Sequence, residues 1–319
     1  MTNRGRAGNG AGVATPDGII VVSKPAGPTS HDMVALVRRL SGVRRVGHGG
    51  TLDPFAAGVL PLFLGTATRL VEYHLADEKA YRALVCFGAR STTDDLDGEL
   101  TPGGGPPTRD AVEAGLAGFR GTITQIPPDY SAVRVAGRHA YELARHGQKP
   151  ELRPRTVDIR QLELVEWHED AERPTATLEL RCSAGTYVRS LARDLGEVLG
   201  TGAYLVALTR TASGPFPLDR AHTAEAVRAA LTGGRASDVL LPPDTGLEEF
   251  PRLKLSAEDL SAVARGQIIR LRTPTAVTLG PGGLLRILDQ GGRLAAIARL
   301  DSGRLHPEKV FLPPATRPS

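Results

Sequence analysis

Residues 47 to 64 run Gly-His-Gly-Gly-Thr-Leu-Asp-Pro-Phe-Ala-Ala-Gly-Val-Leu-Pro-Leu-Phe-Leu, a stretch that leaves the backbone few choices. Gly49 and Gly50 can take positive φ without a Cβ penalty, and Pro54 fixes the chain immediately after Asp53. The apolar run over residues 59–64 reads as the buried support behind this loop. The expectation is a rigid turn that presents one carboxylate, Asp53, from the edge of a hydrophobic core.

Strand and helix signals alternate from the start. Residues 18–23 are β-branched and stop at Lys24-Pro25, after which Thr29-Ser30 can cap a helix over 31–40, with Met33, Val34, Val37 and Leu40 at helical spacing. Residues 80–87 read as a strand, 88–105 as a loop of Thr, Asp and Gly, and 108–116 as a helix capped by Thr108. Strands are expected over 157–166 and 176–182, the second leading into a helix over 187–199 that ends at Gly200. Residues 125–155, with Pro127-Pro128 and several Arg, His and Tyr, look like a surface insertion able to grip something. The fold class is α+β, with a mixed sheet and flanking helices.

At 319 residues two domains are expected. A disordered tail is read at 1–16, a main domain at 17–245 ending in the Pro-rich segment 241–246, and a second domain at 247–314. In the second, short strands over 284–289, 293–300 and 309–312 between Gly-rich turns suggest a small β-barrel. The net charge is only +4, so affinity for a polyanion must come from local clusters of Arg. The two cysteines, Cys86 and Cys182, lie in apolar runs far from metal or disulfide spacing and read as core thiols. No nucleotide-binding loop or clustered ligand set is present, so no metal or other cofactor is expected. Without a signal-like or membrane-spanning apolar stretch, the expected compartment is the cytoplasm.

Five motifs in order carry a family resemblance: Lys24-Pro25 with Thr29-Ser30-His31-Asp32; the Asp53 loop; Glu78-Lys79-Ala80-Tyr81-Arg82; the segment 127–141; and Gly185-Thr186-Tyr187-Val188-Arg189, followed by 203–211. Together they resemble the TruB family of tRNA pseudouridine synthases, and the tail resembles the PUA-like domain that often follows that catalytic domain. The resemblance implies a pseudouridine synthase fold and the isomerisation of uridine to pseudouridine at position 55 in the T-arm of tRNA. It implies base flipping, no obligate protein partner and a monomer.

By the same resemblance Asp53 is the nucleophile, with attack on the sugar carbon and removal of a sugar proton both open as its detailed role, and Arg189 is the cation that offsets its charge in a pocket poor in water. Tyr81 has two possible duties, stacking on the extruded uracil and moving the C5 proton through its hydroxyl. His48 would fill the space the base vacates. Lys24 would contact phosphate or order the loop, and Tyr187 would contact substrate. Arg134, Arg138, Arg145, Lys149 and Arg210 would contact the RNA backbone. Departures from the family pattern are Gly49 and Ala57, where Thr is common, and Thr209, where Arg is common. Two rivals remain open at this point: a guide-RNA-dependent synthase of the dyskerin type, and an RNA-binding, tRNA-folding protein whose catalysis is secondary.

Overall fold

The computed structural model describes residues 16–135, 137–271, 279 and 281–312, so the expected disordered tail lies, apart from Pro16, outside the described residues. The larger sheet contains β1 (Gly18–Lys24), β2 (Ala57–Leu64), β3 (Lys79–Phe87), β4 (Gly121–Gln125), β5 (Arg155–His168), β6 (Thr175–Cys182), β7 (Ala203–Ser213) and β8 (His222–Thr223). Their spatial order is β8-β1-β2-β7-β3-β6-β5-β4, with Val46–His48 paired to β2 and Phe216–Pro217 to β7. The β2 to β7 and β1 to β8 pairs are parallel and the other neighbours on this path antiparallel, so the sheet is mixed as expected.

The continuous apolar run of β2 has a direct cause: both of its faces are covered. Leu60, Leu62 and Leu64 join the main core with Ile20 and Val22 of β1, while Val59 and Phe63 join Ile19, Val21 and Phe216 on the other side. Helix α1 (Ser30–Ser41) buries Met33, Val34, Leu36 and Val37 on the main face. Its N-cap is Thr29, whose hydroxyl accepts from the Asp32 N–H while the Asp32 carboxylate accepts from the Thr29 N–H. Besides a short helical turn at Val71–Leu75, further helices are α2 (Arg109–Leu116), α3 (Ala140–Arg145), α4 (Val188–Val198) and α5 (Ala224–Thr232). The region expected as a plain loop over 88–105 holds a small ladder, Ala89–Ser91 against Leu100–Pro102. The insertion folds as a hairpin of Arg134–Val135 and Arg138–His139 followed by α3.

The second unit is a five-stranded sheet of β9 (Arg252–Lys254), β10 (Ile269–Arg270), β11 (Leu284–Leu288), β12 (Leu294–Asp301) and β13 (Arg304–Val310), ordered β9-β11-β12-β13-β10. Helix α6 (Ala257–Ala264) packs Leu260 and Val263 into its core. Residues 241–246 are more than a tether. Leu241 exchanges backbone hydrogen bonds with Ile19, and Asp244 pairs at 3.0 Å with the buried guanidinium of Arg286. A shared seam of Leu70, Leu247, Phe250, Leu284 and Ile297 joins the two units.

At the centre of the large sheet Gly58 has φ +105, and a Cβ there would stand 2.2 Å from the Arg210 carbonyl oxygen and 2.7 Å from its nitrogen. Both obstacles are backbone of the adjoining strand, which cannot swing away. Gly58→Ala is therefore expected to cost about 2 kcal/mol or more and to lower the unfolding temperature by several degrees. A calorimetric trace identical to the parent would contradict this close approach.

Candidate active site

Asp53 lies in the turn between the Val46–His48 strand and β2, and this turn is pinned from three directions. From β1, the Lys24 ammonium donates to the carbonyls of Pro25 (2.9 Å), Pro28 (2.7 Å) and Pro54 (3.2 Å). From the start of α1, the buried Ser30 hydroxyl accepts from the Leu52 N–H at 2.8 Å and donates to the Leu52 carbonyl at 3.0 Å. From β7, the Arg210 guanidinium donates to the carbonyls of Val59 (2.7 Å), Thr51 (3.3 Å) and Gly50 (3.1 Å). Of the two glycines expected to bend the loop, Gly50 takes the positive φ, at 128°.

Arg189 sits in the first turn of α4 and reaches this loop. Its Nη2 is 2.9 Å from Asp53 Oδ2 and donates to the Tyr130 carbonyl, also at 2.9 Å. Its Nη1 donates to the Thr93 carbonyl at 3.0 Å and lies 3.2 Å from Asp95 Oδ2. One guanidinium thus joins the Asp loop, the 91–98 loop and the insertion. The Arg189 side chain is 4% exposed, whereas that of Asp53 remains 33% exposed, so the acid is supported from behind and open in front.

Two cavities meet at Asp53. The smaller, of about 230 Å³, is lined by Asp53, Tyr81, Tyr187 and Arg189 together with Lys79, Leu208 and Arg210. The larger, of about 680 Å³, lies between the Asp loop and the insertion, with His48, Tyr130, His139, Tyr141 and Arg145 in its wall. Asp53 and Arg189 belong to both. The arrangement suits a small planar group in the inner cavity, covalently continuous with a longer chain in the outer one.

Tyr81 lies on β3 opposite Arg210 of β7, and burial pushes its phenol above the ordinary value. The hydroxyl therefore stays protonated at neutral pH, which favours the stacking duty and disfavours service as a base in the free protein. His48 Nδ1 accepts from the Gly50 N–H at 3.3 Å, and burial, reinforced by Arg210 and His31, lowers its pKa. Both observations keep the imidazole neutral, as expected for a ring that stacks. The backbone N–H and carbonyl of Tyr187 are clasped by the Gln125 side chain at 2.8 Å and 3.0 Å.

One sequence expectation is corrected and one is narrowed. Lys24 and Arg210 were both read as possible backbone-phosphate contacts, yet they are 0% and 1% exposed and spend their donors on loop carbonyls. For Lys24 the loop-ordering alternative fits. Arg210 lines the inner cavity and staples the Asp loop rather than facing solvent. Arg134, Arg138, Arg145 and Lys149 are exposed on the insertion, with the Arg145 guanidinium 5.6 Å from the Tyr141 ring centroid. The structure thus gathers Asp53, Tyr81, Arg189, Tyr187 and Arg210 at one cavity, His48 and Arg145 at its neighbour, and leaves Arg134, Arg138 and Lys149 outside both linings.

Sequence reasoning missed Asp95, which is 5% exposed and shares Arg189 with Asp53, and Lys79, whose ammonium donates to the carbonyls of His74 and Asp77 beside the inner cavity. It also missed Asp94, held 2.8 Å from Arg193 with its carboxyl pushed up to about 6 by burial. Burial lowers Lys24 and Lys79 to about 8. The signs give two limbs. As pH falls through about 6, Asp94 is protonated and loosens from Arg193. As pH rises through about 8, the lysines lose a proton, and Lys24, left with two donors, must release one of its three carbonyls. Turnover is expected to decline on both sides of this window, and Lys24→Met to lower it about tenfold throughout. A flat pH–rate profile from 5 to 9.5 would contradict these assignments.

Comparison with known proteins follows the same outline. The family described as TruB family pseudouridylate synthase (N terminal domain) matches residues 38–188, and the one described as tRNA pseudouridylate synthase B C-terminal domain matches 189–248. The chain is 42% identical over 301 residues to a tRNA pseudouridine synthase B of Bradyrhizobium diazoefficiens, covering 92% of this chain and 85% of the relative. It is 42% identical over 299 residues to that of Gloeobacter violaceus, covering 92% and 99%. Among solved structures, an H/ACA RNP bound to a substrate RNA containing 2′-deoxyuridine aligns with a TM-score of 0.68 at 26% identity, covering 93% of this chain and 86% of that one. An archaeal box H/ACA sRNP Nop10–Cbf5 complex aligns with a TM-score of 0.67 at 26% identity, covering 96% and 90%.

Proposed function

The chain belongs to the TruB family and is a tRNA pseudouridine synthase, and from that premise we propose that it isomerises uridine 55 in the T-arm with Asp53 as nucleophile. The observation that carries this is the Asp53 to Arg189 pair at 2.9 Å, set at the junction of an inner cavity and an outer groove. Uridine buried in a stacked stem-loop cannot bring its sugar to that carboxylate, so the nucleotide swings out and its base enters the inner cavity. His48, neutral and in the outer wall, fills the place it leaves.

Bond cleavage between N1 and C1′ needs a group at the sugar that accepts a new bond while uracil departs as an anion. Asp53 supplies it, and its exposed side faces the cavity. The freed uracil stays between Tyr81 and the Leu208 wall, turns, and attacks C1′ through C5 as the Asp53–C1′ bond breaks and the carboxylate is restored; the C5 proton then leaves and N1 takes up a proton, which completes the isomerisation. Buried Arg210 and Lys79 flank this cavity and place positive charge near a base that is anionic in passage. Exclusion of water preserves the covalent intermediate from hydrolysis.

Residues 17–245 form the proposed catalytic domain, with 125–155 gripping the RNA, and 247–314 the PUA-like domain, of which 272–278, 280 and 313–314 lie outside the described residues. The protein acts as a monomer in the cytoplasm, where tRNA is its partner, and needs no guide. The identity of about 42% to tRNA pseudouridine synthases B, against 26% to the box H/ACA proteins, favours this over the guide-dependent reading. Purified protein incubated with a naked T-arm stem-loop is expected to convert the single uridine corresponding to position 55, mapped by chemical labelling. Conversion only after adding a guide RNA or protein partner would overturn the proposal.

A further inference from the structure

Arg155 opens β5 where the insertion returns to the sheet. Other arginines on these strands are neutralised: Arg82 by Glu166 and Glu179, Arg160 by Glu78 and Asp158, and Arg181 by Glu78. Arg155 makes no ion pair among the described residues, and its buried Nε has no hydrogen-bond acceptor. A half-buried cation left in this state is costly unless an anion arrives to meet it.

Its placement says which anion. The guanidinium lies 5.4 Å from the Tyr187 ring centroid, and one terminal nitrogen is 3.7 Å from the point where a Cβ on Gly185 would stand. Tyr187 and Gly185 both line the inner cavity with Asp53. Gln125, the register partner of Arg155 across β4 and β5, fixes the Tyr187 backbone. The terminal nitrogens of Arg155 likewise make no hydrogen bond among the described residues, and paired guanidinium N–H groups match two oxygens of a phosphate. The geometry points to Arg155 as a phosphate subsite at the lip of the inner cavity, binding the phosphodiester next to the extruded uridine and so fixing its sugar against Asp53.

This rests on the pseudouridine synthase reading above, and the test separates the two. T-arm stem-loops carrying an uncharged methylphosphonate at the linkage 5′ or 3′ of the target uridine are titrated against the full-length protein and its Arg155→Ala and Arg155→Lys variants. Arg155→Ala is expected to weaken binding of the natural stem-loop about 10- to 100-fold, with the loss in KM rather than kcat. It should also reduce the slope of log affinity against log salt by about one. Arg155→Lys should recover part of the affinity. One of the two neutral linkages should weaken the parent protein by a similar factor while changing Arg155→Ala less than about twofold, with the melting temperatures of all three proteins alike. Equal sensitivity of parent and variant to both neutral linkages, or unaltered affinity of Arg155→Ala, overturns the subsite. Failure of the parent to form pseudouridine in any of these RNAs overturns the functional reading instead, because the paired affinities decide the subsite without reference to turnover.

Discussion

Asp53→Asn is expected to lower the rate of pseudouridine formation by at least about 10⁴-fold while affinity for a T-arm stem-loop stays within a few fold. The amide matches the carboxylate in shape and keeps an oxygen toward Arg189 Nη2, at 2.9 Å in the parent, so the loop has no reason to rearrange. What it loses is the capacity to form a bond at the sugar. No neighbour can substitute, because the next carboxylate on the same guanidinium, Asp95, is 5% exposed and committed to the Asp97 N–H and the Thr93 hydroxyl. Single-turnover conversion measured beside equilibrium binding separates the two effects. A variant that keeps a tenth of the parent rate would remove Asp53 from the chemistry.

Arg189→Met should be nearly as damaging to turnover, by about 10³-fold, and unlike Asp53→Asn it should also destabilise the fold. Four hydrogen-bonding contacts of the terminal nitrogens disappear together: those to Asp53, Asp95, Thr93 and Tyr130. Asp95, already raised by burial, is left without its cation, and breaking a buried pair from one side costs about 3–5 kcal/mol. Arg189→Lys keeps the charge but cannot fork between two carboxylates, so it should recover stability more than rate. The two readouts are the unfolding midpoint and the single-turnover rate. Loss of neither would mean that the guanidinium is an ornament of the loop, not its clasp.

The contrast between these residues and Lys24 or Arg210 explains how far the sequence could be read. Asp53 was legible because glycines and a proline surround it and an apolar strand follows, a pattern with a backbone cause. Its meeting with Arg189, 136 positions later, follows from no local rule and came through the motif resemblance alone. Arg210 was read toward the RNA backbone, and Lys24 as either a phosphate contact or a loop-ordering residue, because a lone cation in sequence is ordinarily solvated. Only the tertiary structure supplies the carbonyls of Pro25, Pro28 and Pro54, or of Gly50, Thr51 and Val59, that make burial tolerable. Asp95 sits within a polar turn and Lys79 inside the Tyr81 motif, and neither position signals that its side chain becomes buried.

Element types were read more securely than their edges. The first helix was placed at 31–40 against the observed Ser30–Ser41, because capping by Thr29 and the apolar spacing agree. The last strand was placed at 309–312 and is instead Arg304–Val310, where Pro307 and four charged or ionisable side chains conceal the pairing with β12. The Pro-rich segment at 241–246 hides its contacts for a similar reason. Its prolines signal a break, whereas the Leu241 and Asp244 contacts that anchor it depend on Ile19 and Arg286, both distant in sequence.

The most direct test of the central claim is the structure of the Asp53→Asn protein bound to a T-arm stem-loop, read as the distance from the residue 53 side chain to C1′ of the target uridine. The account predicts a nucleotide turned out of its stack, uracil against Tyr81, and C1′ about 3–3.5 Å from residue 53. A uridine still stacked in its loop, or one whose sugar lies beyond the reach of that side chain, would contradict it.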